Sequence, residues 1–340
     1  KPQLALIDPV FDNTPTANPT TEEGVELGRH LFYDVKLSKN NKISCASCHK
    51  QEFAFSDTAK FSKGFNGLIT KRNSMSLTNL RWHPRFFWDA RAKTLEEQIL
   101  IPIQDSIEMG MDTSDLNAKL SENPIYATLF SKAFGSERIN ASKVSKAIAQ
   151  FLRSIISQDA LFDDIYKQTL EIRKKKLTAQ EFLGSQLFDR VPTPSPDGEG
   201  TQPSQLGRGA NCGACHGTQL ISDFRITNNG LDSKSKDLGF GAISNDPDYK
   251  GTFKTPSLRN IALTAPYMHD GRFKTLSEVL DHYDAHIKDH PNLDPEIKRA
   301  GNYEQMKLDL LDEEKEAIIA YLKTFTDPNL LKSPKYASPF

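Results

Sequence analysis

Apolar residues recur at helical spacing at the start of each half of the chain. In "ELGRHLFYD" and "FLGSQLFDR" they fall at equivalent positions, namely Leu27, Gly28, Leu31 and Phe32 in the first and Leu183, Gly184, Leu187 and Phe188 in the second. This spacing predicts one buried helix face in each segment. A second amphipathic helix is predicted late in each half, over residues 146–155 and 316–325. The chain is therefore predicted to be an internal repeat of two helical units.

The middle of each half repeats as well. Residues 76–98 align without a gap on residues 257–279 and are identical at Ser76, Leu77, Asn79, Asp89, Arg91, Lys93, Thr94, Leu95 and Glu97. Other aligned positions differ: Trp88 lies on His269, Gln98 on Val279 and, a few residues on, Pro102 on Tyr283. We expect the two halves to share a backbone and to differ in chemistry.

Composition narrows the functional classes. The 340 residues suffice for two domains, and 37% hydrophobic with 26% charged residues is typical of a globular protein. A formal net charge of −1 gives no indication of a nucleic-acid or anionic-membrane partner. No stretch approaches the roughly 18–20 apolar residues of a membrane span. Because the sequence begins "KPQLALIDPV", we expect an exported protein whose signal was removed, although a cloning boundary would look the same.

All four cysteines lie in two Cys-x-x-Cys-His motifs, formed by Cys45, Cys48 and His49 and by Cys212, Cys215 and His216. A thioredoxin-like pair needs no adjoining histidine. A zinc site built from both pairs would leave the two histidines unexplained. Covalent haem explains all three residues, because the thiols bond the vinyl groups and the imidazole binds the iron. We therefore expect two haem c groups, attached outside the cytoplasm, and a periplasmic protein.

Each half reads as helix, haem motif, loops and helix, which is the order of a class I cytochrome c. The predicted fold is mainly α, with an N-terminal arm (1–19), two cytochrome c-like domains (20–160 and 161–330) and a C-terminal tail (331–340). Residues 191–209 are predicted to form a surface loop. Pro102 offers no ligand atom and Tyr283 offers a phenol oxygen, so we expect an open first haem and a closed second haem.

The ordered set "CASCH", "RNSMSLTN", "FFWDAR", "TLEEQ", "IEM", "CGACH", "LRNIALTAPYMHDG" and "TLSEVLDHY" resembles the bacterial di-haem cytochrome c peroxidases and their MauG-type relatives, from about residue 20 to about 325. The resemblance implies that the first haem is peroxidatic and that Gln98, Pro102 and Glu108 line its distal side. Glu108 would move the peroxide proton and Gln98 would orient peroxide.

The resemblance also implies roles outside the distal pocket. Trp88 would relay electrons between the haems, although a core tryptophan packed at the domain interface is compatible with the same residue. A calcium ion would be bound by the Asn73 side chain and the carbonyl groups of Thr264 and Pro266. His269 would contact a propionate of the second haem.

Two positions depart from the peroxidase pattern and match the MauG type. Phe65 stands where the common peroxidases carry a distal histidine, and Tyr283 stands where they carry a methionine. His282 and His286 remain alternative ligands of the second haem if the helix register slips, although successive helical residues point about 100° apart. His30 and His290 are expected at the surface or at helix ends.

The function expected is peroxide reduction by a small cytochrome c or copper protein. A MauG-type enzyme that oxidises side chains of a partner protein is the alternative, and Phe65 with Tyr283 favours it. A di-haem electron carrier with no substrate of its own is another alternative, but it would need two closed haems. A zinc-binding scaffold is the least favoured alternative. A homodimer is left open. The basic run "IRKKK" at residues 172–176 is either a solvated helix end or a docking site for an acidic redox partner.

Overall fold

Two units make up the chain in the computed structural model, which describes residues 12–192, 208–300 and 307–340. The first unit contains the residues up to Phe87, Ala92–Ser157 and Pro328–Phe340, and the second contains Trp88–Arg91 and Gln158–Asp327. The predicted domain boundary at residues 160 and 161 lies close to this division and stays a prediction. The C-terminal residues from Pro328, assigned from sequence to the second domain and a tail, group with the first unit.

Helices dominate the described residues, as the sequence predicts. In chain order they are α1 (Glu22–Tyr33), α2 (Cys45–Cys48), α3 (Leu95–Gln104), α4 (Leu116–Ser121), α5 (Ile125–Phe134), α6 (Ala141–Ser154), α7 (Leu161–Ile165), α8 (Leu170–Lys176), α9 (Ala179–Asp189), α10 (Gly213–His216), α11 (Gly241–Ser244), α12 (Leu276–Asp281), α13 (Pro295–Ala300), α14 (Asp312–Lys323) and α15 (Pro328–Lys332). The two short strands β1 (Ile226–Thr227) and β2 (Phe253–Lys254) pair antiparallel. A π-helical turn, His282–His286, follows α12 directly. The mainly α prediction is confirmed.

Helices α1 and α6 form the centre of the first unit. Leu27, Leu31 and Phe32 of α1 are completely buried. The two helices meet at Gly28, where a Cβ atom would lie 2.0 Å from the carbonyl oxygen of Ala147. Only glycine allows this backbone-to-backbone approach. The crossing therefore fixes where α6 lies on α1.

The second unit repeats this arrangement with α9 and α14. Leu187 and Phe188 are buried, and a Cβ atom at Gly184 would lie 1.9 Å from the carbonyl oxygen of Ala317. Thr178 and Glu181 form a capping box that begins α9. The glycine shared by the two aligned segments thus has the same packing role in both units.

Two asparagines that align in the repeat, Asn79 and Asn260, also have one role. Both adopt a left-handed backbone, with φ of 58° and 60°. The Asn79 side chain accepts from the backbone N–H of Ser157 at 2.8 Å, and that of Asn260 accepts from the N–H of Asp327 at 2.8 Å. Each asparagine ties its central loop to the chain just after α6 or α14.

Some expectations need correction or lie outside the described residues. His30 and His290 are only 7% and 6% exposed, so neither lies at the surface, whereas the expected helix-end position is correct for His30, in the last turn of α1. The His30 ring packs edge-on against Phe340, and His290 lies 3.3 Å from the Ser235 hydroxyl. Most of the predicted loop at 191–209 lies outside the described residues. Within those residues no helix is long and apolar enough to cross a membrane.

Candidate haem sites

The first Cys-x-x-Cys-His motif folds as one short helical turn. Cys45 and Cys48 are the ends of α2 and His49 is its C-cap. The Nδ1 atom of His49 lies 2.9 Å from the carbonyl oxygen of Phe55. A carbonyl only accepts hydrogen bonds, so Nδ1 carries the proton and Nε2 presents its lone pair. Burial lowers the pKa of His49, which also favours the neutral ring. This is the imidazole that an iron ligand requires.

The second motif has the same geometry. Cys212, Cys215 and His216 fall in and beside α10, and the backbone N–H of His216 donates to Cys212 O at 2.9 Å. Its Nδ1 lies 2.9 Å from the carbonyl oxygen of Ile221, and burial lowers its pKa. Both motifs therefore hold their histidine in the tautomer that leaves Nε2 as the ligand atom.

All four thiols are free and half-buried. Burial raises the pKa of Cys45 to about 12 and that of Cys48 to about 11. Burial likewise raises the pKa of Cys212 to about 12 and that of Cys215 to about 11. Zinc binds the thiolate, so these thiols would have to lose their protons to form a zinc site. Within the ranges the structure describes, no cluster of three or more His, Cys, Asp or Glu side chains could hold a metal ion.

A buried polar atom without a partner lies on α3 of the first unit. Gln98 and Pro102 are one turn apart on α3, so they share a helix face. The Oε1 atom of Gln98 is buried and has no hydrogen-bond partner among the described residues. An orphaned buried acceptor costs about 1–3 kcal/mol unless a bound group satisfies it. A water or peroxide molecule above a haem would supply that partner.

Glu108 is held in a turn just after α3. The Asp105 carboxylate accepts from the N–H groups of Ile107 at 2.7 Å and Glu108 at 3.2 Å. The negative charge of Glu108 adds to the rise in pKa of both Cys45 and Cys48. The turn therefore brings the carboxylate near the thiols of the first motif, so the structure gathers these predicted residues in one unit.

Phe65 contacts the same turn. Its N–H donates to Glu108 O at 2.9 Å. Its ring edge lies 2.3 Å from where a Cβ atom of Gly110 would be. Next to it, a Cβ atom at Gly64 would lie 1.6 Å from the carbonyl oxygen of Ile107. The segment that would carry a distal histidine thus packs on the backbone that positions Glu108.

Tyr283 lies in the π-helical turn of the second unit. The side-chain amide of Asn229 donates to its hydroxyl oxygen at 3.2 Å. Burial raises the pKa of Tyr283 to about 12; the Asn229 hydrogen bond opposes this rise, and the thiols of Cys215 and Cys212 add to it. The phenol therefore lies in the neighbourhood of the thiols of the second motif. π-Helical turns are rare and often occur at functional sites.

The neighbouring histidines are engaged elsewhere. The Nε2 atom of His282 lies 3.0 Å from the carbonyl oxygen of Asn229, so it donates there. The ring of His282 is buried and packs edge-on against Tyr283 at 5.0 Å between centroids. His286 is exposed, and its Nδ1 donates to Asp281 O at 2.8 Å. These contacts favour Tyr283 over either histidine as the residue aimed at the haem.

The relay and propionate candidates both belong to the second unit. The carbonyl of half-buried Trp88 accepts from the N–H of Lys254 at 2.7 Å. His269 is buried and stacks on Phe253, with 3.8 Å between ring centroids and 14° between planes. Both expected roles stay predictions.

The three expected calcium ligands are divided between the units. Asn73 is buried in the first unit, where its amide nitrogen donates to Ala59 O at 3.2 Å and Lys60 O at 3.4 Å. Thr264 and Pro266 belong to the second unit. Calcium binding also stays a prediction.

Sequence reasoning missed three residues that shape these sites: Asn229, Asp105 and Gly64. Asp105 carried a usable signal, because an Asp two or three residues before a candidate often caps a turn. Asn229 had none, since it lies 54 positions from Tyr283. The role of Gly64 depends on a close approach to a distant carbonyl, which no local pattern reveals.

Comparison with known proteins agrees with this chemistry. A family model described as di-haem cytochrome c peroxidase matches residues 22–171. The methylamine utilization protein MauG of Methylorubrum extorquens is 34% identical over 325 residues, covering 94% of this chain and 83% of that protein. Cytochrome-c peroxidase IdrP2 of Denitromonas iodatirespirans is 30% identical over 342 residues, covering 92% and 84%.

Two solved structures are similar to the chain. A MauG-like protein associated with microbial copper homeostasis superposes with a TM-score of 0.82 at 34% identity, covering 98% of this chain and 97% of that one. The diheme peroxidase BthA of Burkholderia thailandensis superposes with a TM-score of 0.73 at 22% identity, covering 98% and 93%. The second similarity supports the fold alone.

Proposed function

This chain belongs to the di-haem cytochrome c peroxidase family, whose members are haem-dependent oxidoreductases, and we propose that it reduces hydrogen peroxide at an open haem in the first unit. Cys45, Cys48 and His49 would hold that haem, and Cys212, Cys215 and His216 would hold the second. Bound haem supplies the redox chemistry of the reaction. The observation that carries the proposal is the buried, unpartnered Oε1 atom of Gln98, near which Pro102 offers no ligand atom.

Gln98 and Glu108 of the first unit have separate roles in the reaction with peroxide. Gln98 accepts a hydrogen bond from peroxide and so orients it. Glu108 takes the proton from the proximal oxygen and returns it to the leaving oxygen, which departs as water. The Asp105 turn holds Glu108 in place for both transfers. Phe65 presents no ligand atom, so the distal position stays open to a small molecule.

In the second unit, Tyr283 and His216 would be the residues that hold the haem iron. A phenolate ligand favours the higher oxidation states of iron. The second haem would therefore store oxidising equivalents, and Trp88 would relay electrons between the two haems. His269 and the calcium ligands Asn73, Thr264 and Pro266 keep the roles expected from sequence.

A second candidate function is the oxidation of side chains of a partner protein. The Tyr283 phenol in the neighbourhood of the second motif favours it, because an iron that holds an oxidising equivalent suits a reaction with a slow donor. Two relatives named MauG, at 34% and 30% identity, support it as well. In either case, haem attachment of this type indicates a periplasmic location, and the donor would be a small cytochrome c, a copper protein or the oxidised protein itself.

Stopped-flow spectroscopy tests the proposal. The fully ferric two-haem protein is mixed with one equivalent of hydrogen peroxide, and spectra are followed from the visible to the near infrared. An immediate change is expected, because the first haem is open. A protein that reacts only after one-electron reduction would have a hidden ligand on the first haem, and the proposed role of Phe65 would then be wrong.

A further inference from the structure

Helix α8 (Leu170–Lys176) of the second unit buries none of its residues. A helix of seven residues has little stability of its own, and most helices depend on packing one face. Its apolar side chains point outward instead, with Leu170 60% exposed and Ile172 39% exposed. Single exposed apolar residues are ordinary, and these two lie two positions apart, so they point to different sides of the helix.

Positive charge surrounds this apolar pair. Arg173, Lys174, Lys175 and Lys176 fill the last turn of α8. Lys176 lies 3.3 Å from Asp164, whereas Lys174 and Lys175 are exposed and form no ion pair with any described residue. The helix therefore presents two ammonium groups and two apolar side chains, with one acidic residue, Glu171, in its first turn. This is the composition of the rim and centre of an interface with an acidic protein.

A cavity connects this surface to the second haem motif. Its volume is about 140 Å³, and Lys167, Arg173, Asp189, Tyr321 and His216 are among the residues that line it. Arg173 comes from α8, and its buried Nε atom has no hydrogen-bond partner among the described residues. His216 is the proposed iron ligand. One cavity wall is thus shared by the basic helix and the ligand of the second haem.

We propose that α8, together with Lys167, is the docking surface for an acidic electron-transfer protein that exchanges single electrons with the second haem. The partner would carry carboxylates around an exposed apolar patch at its redox centre. One electron would pass from the reduced partner to the oxidised second haem, with no bond made or broken. The inference rests on the proposed function, because it supplies the electrons that the peroxide reaction consumes.

Binding to the ferric two-haem protein and electron transfer to the peroxide-oxidised protein test this inference, with an acidic plastocyanin as the probe. Affinity is measured with the redox-inactive cadmium-substituted probe, and electron transfer is followed anaerobically by adding the copper(I) probe after one equivalent of hydrogen peroxide. We expect binding that weakens as ionic strength rises, and a return of the oxidised protein to its ferric spectrum as the probe is oxidised. A basic mitochondrial cytochrome c should bind far more weakly, and tighter binding of that protein would overturn the proposal.

A matched pair of charge reversals locates the surface. K174E/K175E changes two exposed lysines of α8, and K234E/K236E makes the same charge change at two exposed lysines elsewhere in the second unit. The first should weaken plastocyanin binding roughly tenfold or more, and the second less than about twofold. L170S should weaken binding while leaving its salt dependence unchanged. Equal losses in both charge variants, or none in either, would overturn the proposal.

Two further measurements separate the remaining outcomes. If K174E/K175E lost affinity for phosphatidylglycerol vesicles but kept its affinity for plastocyanin, α8 would be a membrane-binding helix and the proposal would be wrong. The peroxide reaction of each variant is measured without any donor. Loss of docking with a normal peroxide reaction supports the surface, whereas normal docking in a protein inert to peroxide would contradict only the proposed function.

Discussion

Asn229 donates a hydrogen bond from its side-chain amide to the phenol oxygen of Tyr283 across 3.2 Å. Its backbone carbonyl accepts from the ring of His282 at 3.0 Å. One residue thus fixes both the phenol and the imidazole beside it. An N–H group aimed at a phenol oxygen stabilises the phenolate more than the phenol. The hydrogen bond from Asn229 therefore favours the anionic form of Tyr283.

Replacing Asn229 tests the effect of this hydrogen bond on Tyr283. Asn229→Leu removes the donor at similar volume, so the phenolate form of Tyr283 loses a charged hydrogen bond of about 1.5–3 kcal/mol. Without the donor the phenolate gives more charge to the iron, so the reduction potential of the second haem should fall by up to roughly 65–130 mV, since about 59 mV corresponds to a tenfold change for one electron. Spectroelectrochemical titration measures it. In a Tyr283→Phe background the same change should have no further effect, and additive shifts would contradict a role exerted through Tyr283.

Glu108 is expected to control the peroxide reaction without controlling the fold. Glu108→Gln keeps the shape of the side chain but removes the base, so the second-order rate constant with hydrogen peroxide should fall roughly 10²–10⁴-fold. Stopped-flow measurement with the ferric protein gives this constant. Glu137→Gln, at an exposed position of the same unit, is the matched control and should react normally. A Glu108→Gln protein as fast as that control would remove Glu108 from the mechanism.

Gly184 should be irreplaceable for a steric reason. In Gly184→Ala the new methyl group would lie 1.9 Å from the carbonyl oxygen of Ala317, and backbone atoms yield less than side chains do. We expect a loss of at least about 1–3 kcal/mol in the free energy of unfolding, the usual cost of overpacking. Thermal denaturation of the two-haem protein measures it.

Gly135→Ala is the comparison for this variant. Gly135 has a φ of 66° and no atom within 4 Å of an added Cβ, so alanine there meets backbone strain but no clash. Its expected cost is about 1–2 kcal/mol. A Gly184→Ala protein with no greater loss than Gly135→Ala would show that α9 and α14 can separate at little cost.

Lys254 should make stability depend on pH in the alkaline range. This side chain is 2% exposed, and burial lowers its pKa to about 8. An unfolded lysine keeps its proton to about pH 10.4. Between these values the unfolded chain binds more protons, so the free energy of unfolding should rise with pH, by up to about 1.4 kcal/mol per unit.

The contribution of Lys254 is isolated by comparing wild type with Lys254→Met in urea denaturation at pH 7, 8.5 and 10. The free energy of unfolding of wild type, relative to that of Lys254→Met, should increase as pH increases. The exposed Lys250 provides a control, because Lys250→Met should leave the pH dependence as it is in wild type. Parallel curves for wild type and Lys254→Met would mean that Lys254 titrates normally in the folded protein.

The shared backbone of the two units could be predicted from the repeat because identical residues have identical local roles. Ser76 donates to Ala54 O at 2.7 Å and its counterpart Ser257 donates to Leu220 O at 2.6 Å. Asn79 and Asn260 follow the same rule. Aligned positions that differ between the halves, such as Pro102 and Tyr283, could be identified as candidate functional residues, because a shared backbone does not require them to differ.

Features that depend on distant segments could not be predicted. The sequence gives no sign that His30 would be covered by Phe340, more than 300 positions away, because hydrophobic periodicity reports only which face of a helix is buried. The π-helical turn was missed for a related reason: one extra residue per turn leaves an apolar pattern this short almost unchanged. Tyr283 could be identified, but its partner Asn229 could not.

The π-helical turn His282–His286 also makes the choice of axial ligand depend on chain length. Such a turn holds one residue more than an α-helical turn, and three side chains able to bind iron lie within its five positions. Insertion of a single residue before His282 would bring that imidazole to the place of the phenol. Within this fold, histidine could therefore replace tyrosine as a ligand through one insertion, with no substitution of either residue.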